Sequence, residues 1–138
     1  MRVSKKDIPV VFEVPGAVAR QLDGFGEIPG MGSVAGAWFS LGAGTDMAPL
    51  VEGLERDTCH SPHWGFVISG QVVLTCADHP EETVSGGDLF FWPPFHSVRA
   101  TEDAEVILFS PHRAHRAVVD HMAVKLDGNP DVHRNTPV

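Results

Sequence analysis

At 138 residues the chain is long enough to bury one hydrophobic core without disulfide staples, and its formal net charge of −8 argues against binding to nucleic acid, which needs clustered Lys and Arg. With 43% hydrophobic and 20% charged residues it reads as an ordinary soluble globular chain rather than a disordered one. Its two cysteines, Cys59 and Cys76, are too few for a secreted disulfide framework, so free thiols in a reducing compartment are expected.

The N-terminal segment MRVSKKDIPVVFEVPG has a basic start but no sustained apolar core and no small-residue cleavage site, so no signal peptide is expected. No run approaches the roughly 18 apolar residues of a membrane span. The expectation is a cytoplasmic protein with no membrane partner. Fourteen Gly and eleven Pro then break the chain into short runs rich in Val, Ile, Phe and Trp. In order these are IPVVFEV (8–14), SVAGAWFSL (33–41) and the longest, HWGFVISGQVVLTC (63–76), followed by the turn ADHPEE. After ETVS and the turn GGD come LFFWP, SVRA, the turn TEDA and EVILFSP. Strands at this short spacing with polar turns between them predict an all-β sandwich or barrel in one domain.

The tail changes period. PHRAHRAVVDHMAVKLDGNP (111–130) places His115, Val118, Val119, Met122 and Leu126 on one helical face and stops at Gly128 and Pro130. That apolar stripe must lie on its own barrel or across a partner subunit, and the sequence does not choose. The last residues, DVHRNTPV, read as frayed.

The chemistry gathers in CHSPHWGFVISGQ (59–71). In a strand, His63, Gly65 and Val67 share one face, while Trp64, Phe66 and Ile68 share the other and are expected against a packed layer. Gly65 leaves space beside the His63 imidazole, as a ligand cavity would require. Cys59, His60 and His63 offer thiolate and imidazole donors suited to zinc or another first-row transition metal. Three donors this close in an extended segment do not all reach one ion, so two of them plus a distant histidine make better geometry. His96, beyond the rigid Pro93-Pro94 corner, is that distant candidate.

The segment from about Gly53 to Pro111, about two-fifths of the chain, resembles the cupin superfamily of small antiparallel β-barrels. Its first motif is a His-x-His pair, then a Glu, then a Gly seven positions after that Glu. Counting back from Gly70 places His63 where the glutamate stands, Cys59 at the second histidine and Asp57 at the first. The second motif, Gly-x5-Pro-x-Gly-x2-His, is matched from Gly87 through DLFFW to Pro93, with Phe95 in place of the glycine. Val98 takes the final histidine position, and His96 lies two residues earlier with the same strand parity. With PHWGFVISG, these features are similar to small single-domain cupins carrying a Pro-His-Trp-Gly form of the first motif. The resemblance implies one all-β domain over 1–138: a cupin antiparallel β-barrel (double-stranded β-helix, or jelly roll) at about 8–111 and a C-terminal helix at about 113–127.

The resulting expectation is a divalent transition metal, zinc or iron, held by Cys59, His63 and His96 with His60 as a further candidate. Asp57, Gly65 and Trp92 would lie at the pocket. Cys76 reads as core, and His112, His115, His121 and His133 as surface or subunit contacts. Two functions follow: a metal-dependent enzyme acting on a small organic substrate, its reaction unassigned, or a non-catalytic module that binds or senses a small molecule. A metal-free structural cupin that dimerises through its helix is a third reading. By analogy with paired cupins, a homodimer is expected.

Overall fold

Short β-branched runs between glycines and prolines become strands in a computed structural model that describes residues 1–126. Gly128, Pro130, His133 and the DVHRNTPV tail lie outside the described residues. The first strands are Val10–Val14 (β1), Ala17–Leu22 (β2), Glu27–Ile28 (β3) and Gly32–Leu41 (β4). A four-residue helix, Ala48–Val51 (α1), and a 3-10 turn at Glu55–Asp57 lead to His63–Ser69 (β5). Gln71–Cys76 (β6), His79–Ser85 (β7), Leu89–Trp92 (β8), His96–Ala100 (β9) and Ala104–Pro111 (β10) follow, and His112–Leu126 (α2) comes last.

The strands form two sheets. One is seven-stranded in the order β1-β2-β4-β10-β5-β8, with β3 alongside β4; the other is β7-β6-β9. Every pairing is antiparallel. No continuous ring of paired strands closes among the described residues, yet both sheets feed one core. Val67, Val106 and Leu108 of the larger sheet cluster with Val72, Leu74, Val84 and Val98 of the smaller.

Gly70 makes the passage between the sheets, and here the single run expected over 63–76 is corrected to two strands. Its φ is +81°, and a Cβ at this position would stand 1.9 Å from the Asp103 carbonyl oxygen. Only glycine makes that corner, so β5 ends in one sheet and β6 begins in the other. The segment AVARQL was also missed as a strand, although its alternation of buried and half-buried positions is what β2 uses.

The apolar stripe of the tail is realised on α2, which buries His115, Val118, Val119, Met122, Ala123 and Leu126. Val118, Met122 and Leu126 join the chain's own core, so the stripe is spent within the chain. Two hydrogen bonds fasten the helix: Gly24 N–H donates to His112 Nδ1 at 3.0 Å, and His121 Nε2–H donates to the Glu52 carbonyl at 2.7 Å. The expectation that His115 is a surface residue is corrected, because it sits inside the apolar stripe and is 2% exposed. No described helix is long and apolar enough to cross a membrane.

Candidate metal centre

Cys59 and His96, 37 positions apart in sequence, are locked together through their backbones. Cys59 N–H donates to the His96 carbonyl at 2.8 Å, while the Phe95 and His96 amides donate to the Cys59 carbonyl at 2.7 and 3.2 Å. His96 opens β9, whose burial alternates from its first residue, so His96, Val98 and Ala100 all point inward. The corner before it holds Phe95 at φ +69°, a left-handed conformation that glycine adopts freely and a phenyl side chain does not. The turn into β9 therefore takes a backbone shape that glycine supplies more readily, without a glycine. His63 opens β5 opposite Trp92 of β8 and is also buried.

The donor atoms of Cys59, His63 and His96 all lie within 4.8 Å of one another, and all three side chains are buried. Cys59 Sγ is 3.4 Å from His63 Nε2. On its other side, His63 Nδ1 meets Ser110 Oγ at 2.5 Å. His96 Nδ1 faces the Pro93 carbonyl at 2.7 Å; a carbonyl only accepts, so Nδ1 carries the proton and Nε2 the lone pair. Both rings are thus oriented through Nδ1 with Nε2 left for a ligand, the arrangement that metal-binding histidines use. Tetrahedral zinc with thiolate and imidazole ligands puts donors about 3.5 Å apart, so a small contraction would close this cluster on an ion. The residues present fit a transition metal.

Burial sets the protonation states. It pushes the Cys59 thiol up to about 11, opposed by a contact to the Ser61 backbone. His63 is held well below the usual imidazole range by burial and then by the neighbouring His96 and His115 rings. Burial also lowers His96 to about 4. The cluster at neutral pH is one neutral thiol and two neutral imidazoles, and the imidazoles are ready to ligate without losing a proton.

Beside the cluster lies a cavity of about 50 Å³, walled mainly by apolar side chains such as Leu41, Val51, Val106 and Met122. Its polar groups come from Cys59, His63, His96, Ser97, Trp92 and His115. The structure therefore brings Cys59, His63, His96 and Trp92 to one place. His60 is half-buried and belongs neither to the donor cluster nor to the cavity wall. Asp57 is exposed, turned outward by positive φ at Arg56 (59°) and at itself (53°), and its carboxylate accepts the Gly53 N–H at 2.9 Å. It shares no strand face with Cys59.

The reading of Gly65 is also corrected. A Cβ there would stand 2.2 Å from the Ile107 carbonyl oxygen and 2.5 Å from the Phe90 ring, so the space beside it is already filled. Phe90 in turn stacks on Trp92 at 3.9 Å between centroids. The opposite face of β5 is not packed as expected: Trp64 is 51% exposed and lies against the 52% exposed Phe91.

Two residues escaped the sequence reading. Ser110 occupies an inward position of β10 in line with Val106 and Leu108, and a hydroxyl in that apolar alternation was the available signal. His115 gave a similar signal as the one polar residue in a helical apolar stripe.

No protein-family model matches the chain, and no curated protein sequence matches it. Solved structures do resemble it in fold. The oxalate decarboxylase of Bacillus subtilis, described for its Mn(II) centres, superimposes with a TM-score of 0.60 at 19% identity over 99% of this chain and 42% of its own. The same enzyme at pH 4.6 gives 0.60 at 18% identity over 99% and 41%. A conserved Streptococcus pyogenes protein of unknown function gives 0.50 at 17% identity over 69% of this chain and 73% of its own. The chain spans about two-fifths of the oxalate decarboxylase length. It shares that enzyme's largely β fold and carries a buried Cys/His cluster capable of coordinating a metal.

Proposed function

We propose that the chain is a metal-binding cupin in which Cys59, His63 and His96 hold a divalent transition metal and leave a position open toward the cavity. The observation that carries this is the convergence of one thiol and two imidazoles, all buried, within 4.8 Å. The likeness in fold to oxalate decarboxylase and the motif register around Gly70 and Gly87 support the cupin reading, with the two sheets as the halves of a jelly-roll barrel. A thiolate with two imidazoles favours zinc or iron over magnesium or calcium.

When bound, such an ion supplies Lewis acidity, polarising a substrate oxygen or activating water or dioxygen. The chain's own residues orient the rings, exclude water with an apolar wall, and limit the ligand to a few heavy atoms in about 50 Å³. A site of this kind suits a small metal-dependent enzyme acting on a small organic substrate, its reaction unassigned. One observation favours the alternative of a non-catalytic binding or sensing module: no carboxylate lines the cavity among the described residues, so no acidic side chain is at hand for proton transfer. A turnover assay on any ligand found by screening separates the two.

Elemental analysis tests the metal reading directly. Purified protein should carry close to one equivalent of zinc or iron, and His63→Ala should lose most of it. Wild-type protein that stays metal-free after reconstitution overturns the reading.

A cytoplasmic location and a homodimer belong to the same proposal. With α2 spent on its own core, a dimer would use the exposed Trp64, Phe91 and Leu89 around β8, at the edge of the larger sheet. Light scattering on the purified protein tests it.

A further inference from the structure

The cavity contains polar atoms that the Cys59–His63–His96 cluster does not use. Trp92 Nε1 and both ring nitrogens of His115 are buried and have no hydrogen-bond partner among the described residues. Both residues line the cavity, at 3% and 2% exposure. Buried polar groups are nearly always paired, and a leucine would fill the α2 stripe without an orphaned nitrogen. An imidazole retained there needs a partner, and the cavity is where one can sit.

The position of His115 says what kind of partner. Its ring stands edge-on to His63 with centroids 5.2 Å apart and an interplanar angle of 77°. Its nitrogens nevertheless fall outside the donor cluster of Cys59, His63 and His96. It stands beside the donor cluster without joining it. Trp92, whose ring is 6.2 Å from His63, brings an N–H that can only donate. A partner for both must present a hydrogen-bond acceptor.

We propose that His115 is a ligand-binding residue of this site: with Trp92 it hydrogen-bonds a small, acceptor-bearing molecule held at the open position of the metal. The C-terminal helix is then part of the site and not merely a cover over it. The hydrogen bonds of His112 to Gly24 and of His121 to Glu52 hold the helix at the register that delivers His115. This rests on the metal-binding reading above and deepens it.

Azide, a triatomic metal ligand that accepts hydrogen bonds, serves as the probe. Co(II)-loaded protein is titrated with azide and followed by its visible d–d bands in wild type, His115→Phe, His115→Leu and Trp92→Phe. The leucine variant suits the apolar stripe and carries the test if phenylalanine does not pack. The expected result is Co(II) affinity within about threefold of wild type for both His115 variants, with azide bound at least about tenfold more weakly, and a smaller weakening in Trp92→Phe. Equal azide affinity in wild type and His115→Leu overturns the proposal, as does wild-type Co(II) protein that binds no azide. A hundredfold loss of Co(II) affinity in His115→Leu also overturns it, because His115 would then be a metal ligand. Wild-type protein that takes up no Co(II) overturns the metal reading itself and this inference with it.

Discussion

Ser110 Oγ stands 2.5 Å from His63 Nδ1, and both side chains are buried. That contact stops the ring from rotating and, once Nε2 is engaged, gives the Nδ1–H an acceptor. Partners of this kind typically contribute 10- to 100-fold to metal affinity. Ser110→Ala is therefore expected to weaken zinc binding by about 10- to 100-fold in a chelator competition, while Ser110→Thr, which keeps the hydroxyl, loses less. Unchanged affinity in Ser110→Ala would mean that packing alone orients the ring.

The buried imidazoles make the metal-free protein acid-sensitive. Burial holds His63 well below its ordinary value, deepened by His96 and His115, and takes His96 and His115 to about 4. At His115 the Asp23 carboxylate pulls the other way, while His112 and His96 add to the lowering. Unfolded, these rings titrate near 6.5. Above that pH both states are neutral and the rings add no slope. Between pH 6.5 and about 4 the unfolded chain binds protons that the folded chain refuses, so stability falls as pH falls. His96 and His115 would each cost on the order of 3 kcal/mol by the bottom of that window. Urea midpoints of metal-stripped protein should hold steady from about pH 8 to 6.5 and then drop steeply. A flat profile across the acid range would show that the rings are solvated.

Gly65 is required by its neighbours. An alanine methyl would meet the Ile107 carbonyl 2.2 Å away and the Phe90 ring 2.5 Å away. Phe90 could turn aside, but the β10 backbone cannot without breaking its register with β5. Gly65→Ala is expected to cost about 2–3 kcal/mol, as overpacking does, with a fall of several degrees in Tm. Removing the ring contact with Phe90→Leu should rescue only part of the loss. Full rescue would place the clash on the ring alone.

How far the sequence could be read follows from what each signal encodes. Short apolar runs between turns located most strands because β-branched alternation is a local property, and strand parity put His96 on the same face as Val98, which is the buried face of β9. Which face of β5 points inward is not local. Trp64 and Phe66 suggested one answer, whereas the core lies on the face of His63 and Val67. Asp57 was expected at the pocket from its motif position, but Arg56 and Asp57 adopt positive φ, which neither residue type announces, and Asp57 is exposed. Ser110 and His115 come from elements distant in sequence, and only the packing of β10 and α2 brings them to the site. Phe95 adopts a left-handed backbone, φ +69°, that its residue type does not announce.

Cys59 links metal uptake to pH. Its thiol is pushed up to about 11 by burial, so it is protonated near neutrality, yet it must be a thiolate to bind an ion. His63 and His96 are already neutral and release nothing. Uptake should therefore expel one proton per ion, and apparent affinity should rise about tenfold per pH unit from about pH 6.5 to pH 9. Titration calorimetry in two buffers of different ionisation enthalpy counts that proton. Cys59→Ser presents a hydroxyl that is harder to ionise, so it should bind more weakly and show a flatter pH dependence. If wild type releases no proton, the ion is held by the imidazoles without the thiolate, and Cys59 reverts to a small buried residue that braces His63.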